Sequence, residues 1–427
     1  MQIKLSHIDF PRQIVAVTSK SVAHRMLICA AFCNYASRFK FKRVGEDIHR
    51  TIDCLCNLGA GIEKMKESEN GDLEFTLHPI RKLPEEAVLD CGESGSTLRF
   101  FLPLCASLGV HATYLRKGRL SQRPLTALET LLSSHGVSVY EDDDNRLHTE
   151  GRLEGRYFEL PGNISSQFVS GMIFAMCVMT GESTLRITSQ IESAPYIDLT
   201  LSMVGRYGIK TEREGQTIRV EGVGPLGLRR PRNYMAEGDW SGAAVFLSAG
   251  AIGSHSVSVS GLKIRTSQGD REIIKLLKSF GAKVYKQDEN TVTVAPGRLH
   301  GITIDASDIP DLVPVLACVG AAASGTTRIE HAGRLRLKES DRLAVLSEML
   351  TAVGVPVTEM PDGLEIHGTN VLRSAVLSAH HDHRMAMAAA LLALWGGEDC
   401  EIVLDDAESV SKSWPGFWSD LGLTAEQ

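Results

Sequence analysis

Six times along the chain an amphipathic helical stretch reaches a glycine and turns, and the first five times it continues into alternating strand-like sequence. The instances are CLCNLGAGIEKM at Gly59, LETLLSSHGVSVYEDDDNRLHTEG at Gly136, LTLSMVGRYGIKTEREGQTIRVEG at Gly208, IIKLLKSFGAKVYKQDENTVTVAPG at Gly281, LSEMLTAVGVPVTEMPDGLEIHG at Gly354 and FWSDLGL at Gly422. Successive glycines are separated by 77, 72, 73, 73 and 68 residues, so one period accounts for the whole chain of 427 residues. Each glycine suits the position just past a helix, where a positive φ is needed and glycine adopts it without strain. The stretches that follow alternate with a period of two, as in Ala282-Lys283-Val284-Tyr285 and Thr291-Val292-Thr293-Val294, which is the pattern of a half-buried strand. The sixth helix has no strands after it and the first strand, IKLSHI, has no helix before it. The two ends are therefore expected to complete one repeat together.

Each repeat holds a second helix of another kind, rich in Ala, Gly, Ser and aliphatic residues. These run approximately over 22–34, 97–108, 167–179, 241–251, 312–323 and 385–394. A helix apolar on nearly every face is a buried helix, and a chain of this length exceeds what one core usually organises. The expectation is an α/β protein of two domains, each enclosing three such helices behind strands and amphipathic helices. At the helix starts stand Ser19-Lys20-Ser21, Gly95-Ser96-Thr97, Ser165-Ser166-Gln167, Asp239-Trp240-Ser241, Asp308-Ile309-Pro310-Asp311 and Asp382-His383-Arg384. Ser, Asp and Gly are ordinary capping residues. Capping alone does not explain Lys20, Arg25, Arg99 and Arg384 in the first turns of apolar helices, because a buried cation needs a counter-charge or a ligand. Helix starts also favour anions, so six of them facing one cleft between the domains would form an anion trap.

The formal net charge of −7 leaves no global basic field for nucleic acid. Nine cysteines, an odd number without CxxC pairs, read as free thiols in a reducing compartment. The start MQIKLSHIDFPRQIVAV has no apolar core with a cleavage site, and the apolar stretch from Met385 to Trp395 is too short to span a bilayer. A cytoplasmic protein without membrane contact is expected.

The motifs at these helix starts, in their order and spacing, resemble those of the enolpyruvyl transferases over essentially the full length. SKSVAHR is similar to the family's SKS-x-x-NR signature, and CGESGSTLR to GN-[AS]-GT-x-x-R; RLSQRP, NISSQF, SAPYIDLTL, IPDLVP, LRLKESDRL, HHDHRMAM and SVSKSWP follow in register. The chain departs from the pattern at Thr18, His24, Glu93, Arg334 and His381. The resemblance implies a two-domain inside-out α/β barrel made of six βαβαββ-like units, three per domain. One domain would be discontinuous, residues 1–18 with 237–427, and the other inserted, residues 19–236, with the active site in the cleft between them. It implies the branch of the family that acts on phosphoenolpyruvate and shikimate 3-phosphate, as a monomer, with no metal and no cofactor.

Carried over motif by motif, Lys20 contacts both substrates. Ser21, Arg25, Ser165, Ser166, Gln167, Ser193, Tyr196, Asp311 and Lys338 would hold shikimate 3-phosphate, while Gly95, Arg123, Gln167, Arg342, Arg384 and Lys412 would hold phosphoenolpyruvate. Hydroxyls and amides suit a polyhydroxylated ring, and arginine can grip carboxylate or phosphate through two parallel bonds. The implied reaction is addition–elimination, with Asp311 as base for the 5-hydroxyl and Glu339, Lys20 and His383 managing protons near C3 and the phosphate. A metal site at HHDHR is the competing reading of that cluster, but its spacing matches no familiar ligand set. Two functional alternatives stay open. One is the sister transferase acting on UDP-N-acetylglucosamine, although RKGRLSQRP lacks the cysteine that enzyme carries. The other is a non-catalytic paralogue that binds phosphorylated metabolites.

Overall fold

The computed structural model describes residues 1–6, 8–229 and 235–423, and it divides into two compact units, residues 20–236 and residues 1–19 with 237–427. Ser19 belongs with the outer unit because its N–H donates to Glu237 O at 2.8 Å, beside an antiparallel bridge of Thr18 with Gly238.

The inserted unit carries the apolar helices Lys20–Ala31, Gly95–Leu108 and Ser166–Val178. In its third repeat the order is Tyr157–Leu160, the Ser166–Val178 helix, Thr180–Ile187, the helix Ala194–Arg206, then Lys210–Glu214 and Thr217–Val223. The first two strands pair in parallel through the buried helix, and Thr217–Val223 joins Thr180–Ile187 antiparallel, with Lys210–Glu214 at the edge. The second repeat repeats this order with Glu86–Gly92, His111–Arg116, Leu147–Gly151 and Val137–Glu141. The βαβαββ unit expected from the repeat is thus present, and short links make each crossover local.

In the outer unit the helices Trp240–Ile252, Val313–Ala322 and His383–Gly396 pack against one another and are buried along nearly their whole length. The surrounding helices bury one face only. Ile273–Phe280, for example, hides Ile273, Ile274, Leu277 and Phe280, the one-sided spacing of a helix lying on a core. It ends at Gly281 with φ 108°, where an added Cβ would meet Arg298 O at 2.3 Å. All six repeat glycines have positive φ.

The chain ends meet as expected: Ile3–Leu5 pairs antiparallel with Ile402–Asp405, and the terminal ammonium lies 2.8 Å from Glu408. The N-terminal segment also does something the repeat pattern did not reveal. Gln13–Val15 adds in parallel to Val257–Ser260 and so supplies the first strand of the fourth repeat. That repeat begins directly after the chain returns at Glu237, leaving no residues of its own for a strand before the Trp240 helix. Separate apolar cores, one per unit, complete the architecture of helices inside and sheets outside. No helix among the described residues is long and apolar enough to cross a membrane.

Candidate active site

In the outer unit three helix starts place their polar residues together. Asp311 sits in the turn Pro310–Leu312 that leads into the Val313 helix. Its Oδ1 accepts from Arg342 Nη1 at 3.0 Å, its Oδ2 from Arg384 Nη2 at 2.9 Å, and Lys338 Nζ stands 3.8 Å away. Burial would raise the Asp311 carboxyl, but Arg384, Lys338 and Arg342 outweigh it and hold it well below the ordinary carboxylate range. Burial pushes Lys338 down to about 8, against the opposing pull of Asp311, with Arg342 and Arg334 adding to the decrease.

Arg342 is the organiser of this group. Nε donates to Asp382 at 2.8 Å, Nη2 to Glu339 at 2.8 Å, and the side chain is only 2 % exposed. Asp382 serves two functions: it caps the His383 helix by accepting the Arg384 N–H at 2.9 Å, and it clamps Arg342. The capping and cation readings of that helix start therefore both hold. His383 is buried at the first helical position, its Nδ1 3.8 Å from Asp382 Oδ1. Lys412 donates to His381 O at 2.8 Å. Among the described residues no group of three or more His, Cys, Asp or Glu could hold a metal ion.

Within the inserted unit a second group forms. Lys20 pairs with Asp47 at 2.8 Å. Arg25 is buried, and burial lowers its pKa to about 10. It donates to Thr200 Oγ1 at 2.8 Å, Ser21 O at 2.8 Å, Tyr196 O at 3.1 Å and Ser170 Oγ at 3.3 Å, with Phe100 5.1 Å beneath. Those bonds tie the first helix to the Ala194–Arg206 helix, whose start holds Ser193 in a left-handed conformation with φ 55°.

At the second helix start, a Cβ on Gly95 would lie 2.7 Å from Arg99 Nη1 and 2.8 Å from Arg123 Nη1. Two guanidinium groups thus converge at the start of a helix, a setting suited to an anion. Gln167 bridges the same corner, accepting from Arg99 at 2.8 Å and donating to Ser96 Oγ at 2.9 Å. Ser165 caps its own helix through Gln167 N, and Ser166 follows in the first turn.

Lys20, Ser21, Arg25, Gly95, Arg123, Ser165, Ser166, Gln167, Ser193 and Tyr196 are all carried by the inserted unit, and Asp311, Lys338, Glu339, Arg342, His383, Arg384 and Lys412 by the outer one. Sequence reasoning missed Asp47, Ser170, Thr200 and Asp270. Each lies within a helix or a turn, Thr200 inside SAPYIDLTL itself, and only folding brings it to its partner.

The sequence model of EPSP synthase (3-phosphoshikimate 1-carboxyvinyltransferase) matches residues 11–421. The chain belongs to the EPSP synthase family. The 3-phosphoshikimate 1-carboxyvinyltransferase of Clostridium perfringens is 37% identical over 407 residues, covering 94% of this chain and 93% of that protein. The protein of the same name from Clostridium kluyveri is 37% identical over 411 residues, covering 96% and 94%. Among solved structures, an EPSP synthase from Acinetobacter baumannii superposes with a TM-score of 0.79 at 24% identity, over 99% of this chain and 97% of that one. The enolpyruvyl transferase NikO from Streptomyces tendae gives 0.75 at 17% identity, covering 98% and 96%. At those identities the likeness speaks for the fold, the inside-out α/β barrel that the motifs implied. Membership of the EPSP synthase family places the chain's chemistry in the shikimate pathway and leaves the UDP-N-acetylglucosamine alternative unfavoured.

Proposed function

We propose that this member of the EPSP synthase family transfers the carboxyvinyl group of phosphoenolpyruvate to the 5-hydroxyl of shikimate 3-phosphate, and that Asp311 is the base. The observation that carries the assignment is a half-buried carboxylate bonded at once by Arg342 and Arg384 with Lys338 nearby. So many cations keep Asp311 ionised, yet they also make it a weak base at rest. An arriving phosphoenolpyruvate competes for Arg384. As that arginine turns to the new anion, Asp311 loses a counter-charge and its basicity rises. Binding of one substrate thereby prepares the base for the other.

In the addition step the 5-hydroxyl loses its proton to Asp311, its oxygen bonds to C2, and C3 takes a proton from the acid group, for which Glu339 and Lys20 are the candidates and His383 a relay. In the elimination step C3 returns a proton, the double bond re-forms, and the C2–O bond to phosphate breaks. Arg123, Arg342, Arg384 and Lys412 balance the charge of phosphoenolpyruvate and departing phosphate. Arg25, Lys338 and the hydroxyls of Ser165, Ser166, Ser193 and Tyr196, with the Gln167 amide, address shikimate 3-phosphate.

The deciding experiment is phosphate release measured with both substrates and with each omitted in turn. Asp311→Ala should retain binding in calorimetry and lower turnover by about 10²- to 10⁴-fold. An undiminished rate removes Asp311 from the mechanism, and binding without turnover in the unaltered protein favours the non-catalytic reading.

A further inference from the structure

Beneath the helix starts of the inserted unit runs a chain of buried polar groups in which Thr51, a residue of no motif, joins His24 of SKSVAHR to Ser94 and Thr97 of CGESGSTLR. His24 Nδ1 lies 2.7 Å from Thr51 Oγ1, Thr51 Oγ1 lies 2.8 Å from Thr97 Oγ1, and Thr97 Oγ1 donates to Ser94 Oγ at 2.7 Å. His24, Thr51, Thr97 and Ser94 are all fully buried. Ser94 is the cap of the Gly95 helix and also accepts the Thr97 N–H.

Proton counting orients the chain. A threonine hydroxyl has one proton to give. Thr97 gives its proton to Ser94, so Thr97 accepts from Thr51; Thr51 has then spent its own and accepts from an Nδ1–H of His24. Burial lowers the His24 pKa to about 3, so the imidazole stays neutral and can hold its proton on Nδ1.

The chain meets the Lys20–Asp47 pair in a regular way. Lys20 and His24 stand one turn apart on the first helix, and Asp47 and Thr51 one turn apart on the helix Glu46–Asn57. The two contacts form successive rungs between these helices, at 2.8 Å and 2.7 Å. Thr51 then reaches sideways to the start of the helix that carries Gly95. Apolar side chains of similar volume would fill this space without any desolvation cost, so what a buried polar chain adds is register. The register here is shared by Lys20 and the Gly95 corner, where Arg99 and Arg123 converge.

We infer that Thr51, which lies below the site and is assigned no substrate, is a positioning residue that sets Lys20 and the Gly95 helix start relative to each other, and so governs binding of phosphoenolpyruvate more than that of shikimate 3-phosphate. The inference rests on the proposed function, and the test keeps the two apart. Steady-state kinetics would be measured for the unaltered protein, Thr51→Val, Thr51→Ser and Thr97→Val. Absence of turnover in the unaltered protein would remove the proposed function itself. With turnover present, Thr51→Val should raise KM for phosphoenolpyruvate by about ten- to a hundredfold, the scale of an ångström-sized misplacement. KM for shikimate 3-phosphate should change several times less, and Thr51→Ser should restore the original values. Thr97→Val breaks the same chain from its other end and carries the same expectation if Thr51→Val does not fold. Unchanged kinetics, or equal changes in both KM values that merely track a lower Tm, would overturn the positioning role.

Discussion

Asp270 shows how a single buried group changes the energetics of the outer unit. It lies in the turn Gly269–Glu272 and accepts the hydroxyl proton of Ser241. Burial, with repulsion from Asp311 and only partial relief from Arg384, lifts its carboxyl to about 7 from an ordinary 3.8. A raised carboxyl binds its proton more tightly in the folded chain than in the unfolded one, so stability falls as pH climbs from about 4 to about 7. Asp311 has the opposite sign, since its depressed carboxyl adds stability above the unfolded value of 3.8 that is lost only as pH falls through its lower folded value. Asp270→Asn should therefore stabilise the protein at pH 8, by up to about 4 kcal/mol at roughly 1.4 kcal/mol per unit, and have little effect at pH 4. Calorimetric unfolding at both pH values tests this, and an equal effect at the two would contradict it. Cationic and hydroxyl residues of the candidate site stood out in the sequence because they lie in motifs at helix starts. Asp47, Thr200 and Asp270 did not, because nothing local to an acid or hydroxyl within a helix or turn names the distant group it will meet.

Helices are where the sequence speaks most plainly, since a segment apolar all round has no solvent-facing side and must be enclosed. How closely two of them approach depends on something composition does not display. A Cβ on Gly171, in the Ser166–Val178 helix, would lie 2.2 Å from Arg99 O and 3.0 Å from Pro103 of the Gly95–Leu108 helix. Glycine to alanine in an exposed helix usually stabilises by ~1 kcal/mol. Here the obstacle is backbone, which cannot swing aside, so Gly171→Ala should instead destabilise by about 1–3 kcal/mol. Urea denaturation gives the sign, and a stabilised variant would show that these helices have room. The strand Gln13–Val15 failed to register in the repeat pattern for a related reason. Its exposed Gln13 and Val15 and half-buried Ile14 carry little alternation, and its partner is about 245 residues away in the chain.

At the scale of the molecule, the chain passes between its two units at residues 19–20 and 236–237. Gln268 fastens both passages on the outer side: it accepts from Ser19 Oγ at 2.9 Å and from Trp240 N at 3.3 Å, and donates to Gly238 O at 2.9 Å. Gln268→Leu leaves these three groups without their partner in a buried place and should cost about 2–4 kcal/mol. Thermal unfolding measures it, and an unchanged midpoint would mean that water replaces the amide. None of this was readable from the SQGD stretch in which Gln268 stands.

The sequence by itself determined the repeat, the buried character of six helices, the positive-φ glycines and the polar residues at helix starts, because each depends on local periodicity or local backbone preference. Tertiary structure alone decided which carboxylate meets which cation, that Arg342 joins Asp311, Glu339 and Asp382, and that the N-terminal segment completes two repeats. Those outcomes depend on distances between groups far apart in the chain, and no local pattern encodes a distance that only packing sets.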